Sequence, residues 1–378
     1  MLRSLDLFSG IGGITYALEG LGTPVMYCEI DPDATAVLRK LMLAKKIPKA
    51  PIHNDVATLK GQPLRGKVDI IVGGSPCVGF SSAGKGEGFD QEQSNLYKHV
   101  VRLVGEIQPS FVFLENVPGI LLLGMRHVIK TFVSQGYQLT WLVMPASAVG
   151  APQKRARWFC LAYKPGAVGK DLTVRKKWTW HEPAWKREPV PRMVLQTSKQ
   201  LKARMAMLGN SVVPDVVRLA FMLLWTGCAI PVPTLRAAAT IRLVQPLVKP
   251  LVKQEMPRYG AVVAGKTMRL HHEPQGLSTN PSLRIVLDPR AYSPPSAYKA
   301  PEAPSGLLDK PRVVSMWATP RHGIGHVGSQ RLTRRCSKDL GSQLRFARDT
   351  PAALRKGSTN PEWTEWMMGY PIGWTSMA

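Results

Sequence analysis

Ser4-Leu5-Asp6-Leu7-Phe8-Ser9-Gly10-Ile11-Gly12-Gly13 opens the chain as a short apolar strand running into a glycine-rich turn. Ile14 to Leu21 continues as a helix closed by Gly22, so the first unit reads strand, turn, helix. Glycines let a backbone approach a ligand with no Cβ in the way, and a helix start leaves N–H groups unpaired. Val25 to Cys28 reads as a second strand ending at Glu29, 23 positions after Asp6. In doubly wound sheets that is the region where an acid meets ribose hydroxyls. Asp55, in His53-Asn54-Asp55-Val56, falls where a third strand should end. Acids at three strand ends predict a site for an adenosine-containing cofactor.

Two further runs, Val68-Asp69-Ile70-Ile71-Val72 and Phe111-Val112-Phe113-Leu114, are short, continuous, and β-branched or aromatic. Such runs suit strands covered on both faces of a parallel sheet. The expected fold class is therefore α/β, a doubly wound, mostly parallel sheet, with a smaller basic carboxyl-terminal region. The first run leads into Gly73-Gly74-Ser75-Pro76-Cys77 and the second ends in Glu115-Asn116-Val117. A lone Cys is ordinarily a small buried hydrophobe, and a Glu closing a strand is ordinarily a solvated end. Placed at two strand exits, where open α/β sheets form their ligand crevice, Cys77 and Glu115 predict one active site.

Composition narrows the function classes. The 378 residues are 44% hydrophobic and 20% charged, enough for a large core and two domains. Met1-Leu2-Arg3-Ser4-Leu5-Asp6 carries an early acid and no signal-peptide pattern, which predicts a cytoplasmic protein. The apolar helical stretch Val216 to Trp225 contains Arg218 and is too short to span a bilayer, so no membrane segment is expected. The 5 cysteines show no CxxC spacing, and neither a metal site nor a disulfide framework is expected. The net charge of +25 is uneven: 14 basic against 12 acidic residues up to position 150, then 36 against 13. A near-neutral first part joined to a strongly basic remainder suits an enzyme that binds a polyanion, since phosphate neutralisation supplies much of nucleic-acid affinity.

Taken in order, Asp6-Leu7-Phe8-Ser9-Gly10-Ile11-Gly12-Gly13, Glu29, Asp55, Pro76-Cys77, Glu115-Asn116-Val117, Gln153-Lys154-Arg155-Ala156-Arg157 and Gly209-Asn210-Ser211-Val212 resemble the motifs of the cytosine-C5 DNA methyltransferases. The resemblance covers residues 1 to about 226. It implies a Rossmann-like methyltransferase domain, S-adenosylmethionine as cofactor, and double-stranded DNA as partner. It also implies that Asp6, Phe8, Ser9, Gly10, Gly12 and Gly13 line the cofactor. Glu29 would hold its ribose, Asp55 its adenine amino group, Asn210, Ser211 and Val212 would close its methionine end, and Ile30, Val56 and Pro76 would also bind the cofactor. Cys77 would be the nucleophile, Glu115 the acid, and Arg157, with Arg155, would grip the base.

The chemistry agrees with these residue types. C5 of cytosine is a poor nucleophile until a thiolate adds to C6, and an acid at N3 lowers the barrier to that addition. A base inside a duplex is out of reach of Cys77, so it must be flipped, and the glycine-rich segment Val78 to Gln93 is suited to close over it as a lid.

The chain departs from the family in two places. Val78 stands where the family usually has Gln after Pro-Cys. Only Trp158 to Leu208 separates the Gln-x-Arg-x-Arg strand from Gly-Asn-Ser-Val, too little for a typical recognition domain. Gly369-Tyr370-Pro371 is similar to a Gly-Phe-Pro element that normally precedes Gly-Asn-Ser-Val, yet here it follows. The expected organisation is a catalytic domain over 1–226 with a short insertion at 159–206, a Pro-rich basic linker over 227–312, and a permuted target-recognition element over 313–378. Within that last part Asn360 and Pro361 start a helix whose Trp363, Trp366, Met367 and Tyr370 share one apolar, core-packing face. The enzyme would be a monomer, of restriction-modification or orphan phage type, in a bacterial or phage-infected cell. The same charge logic serves RNA, tRNA in particular, and Val78 leaves open a DNA-binding protein without turnover.

Overall fold

A computed structural model of the chain describes residues 1–76, 96–167, 178–179, 185, 187–195, 198–229 and 357–376, with residue 344 and short strands at 243–244, 260–263, 266–270 and 317–318. The central strands are β1 (Leu2–Leu7), β2 (Gly22–Cys28), β3 (Ile52–His53), β4 (Ile70–Gly73), β5 (Phe111–Asn116) and β6 (Gln138–Pro145); β7 (Gln153–Lys154) precedes β8 (Ala156–Tyr163). Seven of them lie in the order β6-β8-β5-β4-β1-β2-β3. All the pairings from β3 to β5 are parallel, and β8 runs antiparallel between β5 and β6. The sheet is the mostly parallel α/β sheet of methyltransferase type that the sequence predicts.

Helices α1 (Gly13–Ala17), α2 (Pro32–Leu43), α3 (Tyr97–Ile107), α4 (Ile120–Leu123), α5 (Met125–Ser134), α6 (Lys199–Asn210), α7 (Pro214–Ala229) and α8 (Pro361–Met368) cover it. Side chains alternate across β5: Phe111 and Phe113 join a core with Val37 of α2 and Val217 of α7, while Val112 and Leu114 join one with Val104 of α3 and Val128 of α5. Both faces are thus buried, which is why these strands read as unbroken apolar runs. Gly73 marks a close approach of β4 to β1: a Cβ there would lie 2.7 Å from the Leu7 carbonyl oxygen.

Helix α1 and the expected linker differ from their sequence reading. Helix α1 ends at Ala17 rather than Leu21, because Gly20 (φ 76°) turns the chain into β2 at Gly22. The apolar stretch across residues 199–225 has the hydropathy of a membrane span, yet most of it is buried. It breaks between Asn210 and Pro214, and Arg218 inside α7 donates to the carbonyls of Ala17 (2.9 Å) and Glu19 (2.8 Å). Its hydropathy is that of a core helix. Within the expected linker, β10 (Leu243–Val244), β11 (Gly260–Val263) and β12 (Lys266–Leu270) extend the sheet, with β11 antiparallel to β6. Gly260-Ala261-Val262-Val263 is an apolar, partly β-branched run, the composition an added strand needs.

The carboxyl-terminal segment is built into the same core. Strand β14 (Ser358–Thr359) pairs antiparallel with β9 (Met193–Val194), while β13 (Trp317–Ala318) pairs with β7. Asn360 caps α8, its side-chain oxygen accepting from Glu362 N at 3.0 Å, and Pro361 takes the first helical position. Trp363, Trp366, Met367 and Tyr370 are all buried. Glu365, fully buried, accepts from Arg204 of α6 (3.0 Å) and from the backbone of Gly373 and Thr375 (2.7 Å each). Within residues 357–376, Trp363, Trp366, Met367, Met368, Tyr370 and Trp374 therefore pack into the same core as α2 and α7. The rest of 313–378, apart from β13 and Leu344, lies outside the described residues.

Candidate active site

The cofactor side forms where β1 ends. Asp6 is buried; Thr15 donates to its Oδ2 at 2.6 Å, and its Oδ1 has no partner among the described residues. Burial raises its pKa to about 7, against the opposing Thr15 hydrogen bond. Phe8, Gly10 and Gly12 then take φ of 54°, 52° and 76°, left-handed backbone that holds the turn open. Ser9 ties it back, its hydroxyl donating to the Asp6 carbonyl at 2.7 Å.

Glu29 braces the same turn: its carboxylate accepts from Gly10 N at 2.7 Å and Asp31 N at 2.9 Å, and burial raises its pKa. Each carboxylate oxygen keeps a lone pair for a ligand hydroxyl. Beside it Ile30 is 71% exposed, a large apolar side chain with a free face. Asp55 accepts from Ala57 N at 2.8 Å, next to buried Val56. An unpartnered buried carboxylate oxygen, an open turn and a presented acid fit a cationic nucleoside cofactor.

Gly13 has a different neighbour. A Cβ there would overlap the Tyr370 hydroxyl and lie 2.8 Å from Val212 Cγ2, so its glycine is required by the packing of the carboxyl-terminal segment. Asn210 ends α6, and Ser211 and Val212 follow it toward the same glycine turn.

On the other side, β4 and β5 bring their exits together. Asn116 Nδ2 donates to Ser75 O and Ser75 Oγ, both at 3.3 Å, and a Cβ on Gly74 would lie 2.9 Å from Glu115 Oε2. The strand leading to Pro76 therefore lies against Glu115. Arg157 Nε sits 2.9 Å from Glu115 Oε1, with the two side chains 19% and 11% exposed. Burial raises the Glu115 pKa, and the charges of Arg157 and Arg155 oppose it. Cys77 and the expected lid over Val78 to Gln93 lie outside the described residues.

The sequence predicts Arg155 beside Arg157 at the base, and in the structure its side chain reaches the end of α6 while its charge still acts on Glu115. Arg155 is buried and donates to the carbonyls of Gly209 (3.4 Å) and Ser211, at the end of α6. There a cation satisfies carbonyls the helix leaves unpaired. Gln153, also buried, donates to Met367 O of α8 at 3.0 Å. Arg157 pairs with Glu115, and the charge of Arg155 acts on the same carboxyl group. Sequence reasoning missed Thr15 as the partner of Asp6, Ser75 as the tie to Asn116, and Trp374, whose Nε1 donates to the Ile11 carbonyl at 2.9 Å. Asn116 follows Glu115 at a strand exit, the signal that could have pointed to the tie.

A methyltransferase-like α/β sheet, with a nucleotide-type turn after β1 and a Glu–Arg pair at the neighbouring exits, defines a group-transfer enzyme of the methyltransferase class. Residues 2–201 match the family described as C-5 cytosine-specific DNA methylase. The chain belongs to that family and is a DNA cytosine-5 methyltransferase. It is 30% identical over 383 aligned residues to the Type II methyltransferase M.CviJI of Paramecium bursaria Chlorella virus IL3A, covering 97% of this chain and 96% of that protein. Similarity to the Type II methyltransferases M2.BsuMI of Bacillus subtilis (32% over 170 residues) and M.MspI of Moraxella sp (32% over 186 residues) covers 43% and 45% of this chain, and 42% and 43% of theirs. An alignment over 97% of the chain takes in the carboxyl-terminal segment as well.

Proposed function

We propose that this enzyme methylates C5 of a flipped-out cytosine in double-stranded DNA, with S-adenosylmethionine as cofactor and Cys77 as nucleophile. The carrying observation is the Ser75–Asn116 tie with Gly74 seated against Glu115, because the next bond after Pro76 leads to Cys77. Asp6, Glu29, Ile30 and Asp55 would hold the cofactor, which supplies an electrophilic methyl group.

The thiolate of Cys77 adds to C6 of the base. Glu115 gives its proton to N3 as the addition moves the C4–N3 π pair there, and the C5–C6 π pair shifts to C4–C5, leaving an enamine nucleophilic at C5. That carbon takes the methyl group from the cofactor, whose sulfur keeps the bond pair as a neutral thioether. Loss of the C5 proton to a base then re-forms the C5–C6 double bond and expels Cys77 as thiolate, and the N3 proton returns to Glu115, which restores the ring. Arg157 orients Glu115 through their ion pair and faces the base with its remaining N–H groups. Gly74 leaves room for Glu115 at the strand exits.

Basic residues beyond the described core, Arg331, Arg334 and Arg335 among them, are assigned to phosphate contacts and site choice. The enzyme works as a type II restriction-modification or orphan phage-type methyltransferase in the cytoplasm of a bacterial or phage-infected cell.

Duplex DNA carrying 5-fluorocytosine tests the reading, since fluorine at C5 cannot leave as a proton does and the Cys77 adduct stalls. A denaturant-resistant complex should form with duplex DNA only when S-adenosylmethionine and Cys77 are both present. Trapping of 5-fluorocytosine tRNA in place of DNA would transfer the activity to RNA.

A further inference from the structure

The carboxyl-terminal residues 369–376 touch the glycine turn and the Asn210–Val212 segment at once. Trp374 Nε1 donates to the carbonyl of Ile11, which lies between Gly10 and Gly12 in the turn, at 2.9 Å. Tyr370 donates through its hydroxyl to Val212 O at 3.0 Å and is hydrogen-bonded to Ser211 Oγ. The two rings pack on each other with centroids 5.3 Å apart, and both are 2% exposed. Gly13 carries no side chain because the Tyr370 hydroxyl occupies that space. Lys40 of α2 closes the end of the segment, its Nζ donating to Ser376 O at 3.0 Å.

From these contacts we infer that the carboxyl-terminal segment is a clamp for the cofactor site, with Tyr370 and Trp374 as positioning residues that hold its two loops in their binding shape. The inference rests on the cofactor reading above. The turn holds three left-handed positions within five residues, at Phe8, Gly10 and Gly12, and is tied by Gly12 N donating to Ser9 O at 2.8 Å and Gly10 N to Glu29 at 2.7 Å. The bond from Trp374 to Ile11 O adds a tie from outside the turn, between its two glycines. A loop already ordered loses less conformational freedom when ligand arrives, so the clamp raises affinity through preorganisation. Neither residue need touch the cofactor for this to hold.

The test uses the full chain and isothermal titration with S-adenosylmethionine. Trp374→Phe and Tyr370→Phe keep the rings and remove the N–H and O–H donors. Each should weaken binding about fivefold to tenfold, the size of one or two net hydrogen bonds. KM for S-adenosylmethionine should rise with it, while kcat at saturating cofactor and affinity for duplex DNA stay unchanged. Leu103→Val, in α3 on the opposite face of the sheet, provides a comparison of matched thermal midpoint and should bind cofactor normally. Unaltered cofactor affinity in both tail variants, or an equal loss in Leu103→Val, would overturn the clamp. A wild-type chain that binds no S-adenosylmethionine would instead sink the cofactor reading itself. If the variants fail to fold, hydrogen exchange on the wild-type chain decides: cofactor should slow residues 9–13 and 370–376 together, and protection of the turn alone would contradict the inference.

Discussion

Glu115→Gln should lower kcat by about 10²–10³-fold while leaving affinity for cofactor and DNA little changed. The carboxyl group lies at the β5 exit, 2.9 Å from Arg157 and against Gly74, so glutamine fits the space with the same hydrogen-bonding shape. It cannot give up a proton to the ring. The pH profile separates that loss from a change of shape. Burial holds the Glu115 pKa above the ordinary carboxylate value, so the fold favours the neutral acid, with Arg157 opposing. A raised folded value contributes stability that is complete below the unfolded value and is lost as pH rises through the folded one. Turnover that depends on protonated Glu115 should fall over the same rise in pH. In Glu115→Gln that alkaline limb should flatten, and a variant with unchanged rate and unchanged limb would remove Glu115 from the reaction.

Glu365→Ala should be the most damaging change outside the reaction centre, destabilising the chain by about 3–5 kcal/mol. The carboxylate is fully buried and accepts from Arg204, Gly373 N and Thr375 N, and Thr375 Oγ1 also reaches it. Truncation leaves a nearly buried guanidinium facing an apolar space and strands two backbone donors. Their loss also frees the segment that carries Tyr370 and Trp374, so cofactor affinity should fall with stability. Urea unfolding monitored by circular dichroism measures the first effect. A shift of less than about 1 kcal/mol, the range of an ordinary exposed pair, would mean that Arg204 and Glu365 are not coupled as the geometry shows.

The parts of the fold that depend on local pattern were legible in the chain. Asp6, Glu29 and Asp55 mark strand ends because a buried parallel strand reads as an apolar run and stops where the polarity changes. The adjacency of the β4 and β5 exits followed from topology alone, and the Ser75–Asn116 tie shows the two exits side by side, with Cys77 itself outside the described residues. The side-chain direction of Arg155 was not legible, because the Gln-x-Arg-x-Arg stretch reads as one strand and the structure breaks it in two. Arg155 falls between β7 and β8, with its own carbonyl accepting from Ala146 N at 2.6 Å, and its side chain turns to the end of α6. The role of residues 357–376 was hidden for another reason. Trp374 and Ile11 are 363 positions apart, and no local periodicity signals a contact of that separation. The aromatic face of α8 announced burial without naming what it would bury against.

The central claim is the reaction, and nucleoside analysis tests it most directly. The full chain is incubated with S-adenosylmethionine and mixed-sequence duplex DNA beside a Cys77→Ala variant, and the digested nucleosides are separated by mass spectrometry. 5-Methylcytosine should appear with the intact chain and be absent with the variant. A chain that binds cofactor yet leaves the DNA cytosines unmodified, or a variant that methylates as well as the intact chain, would contradict the account.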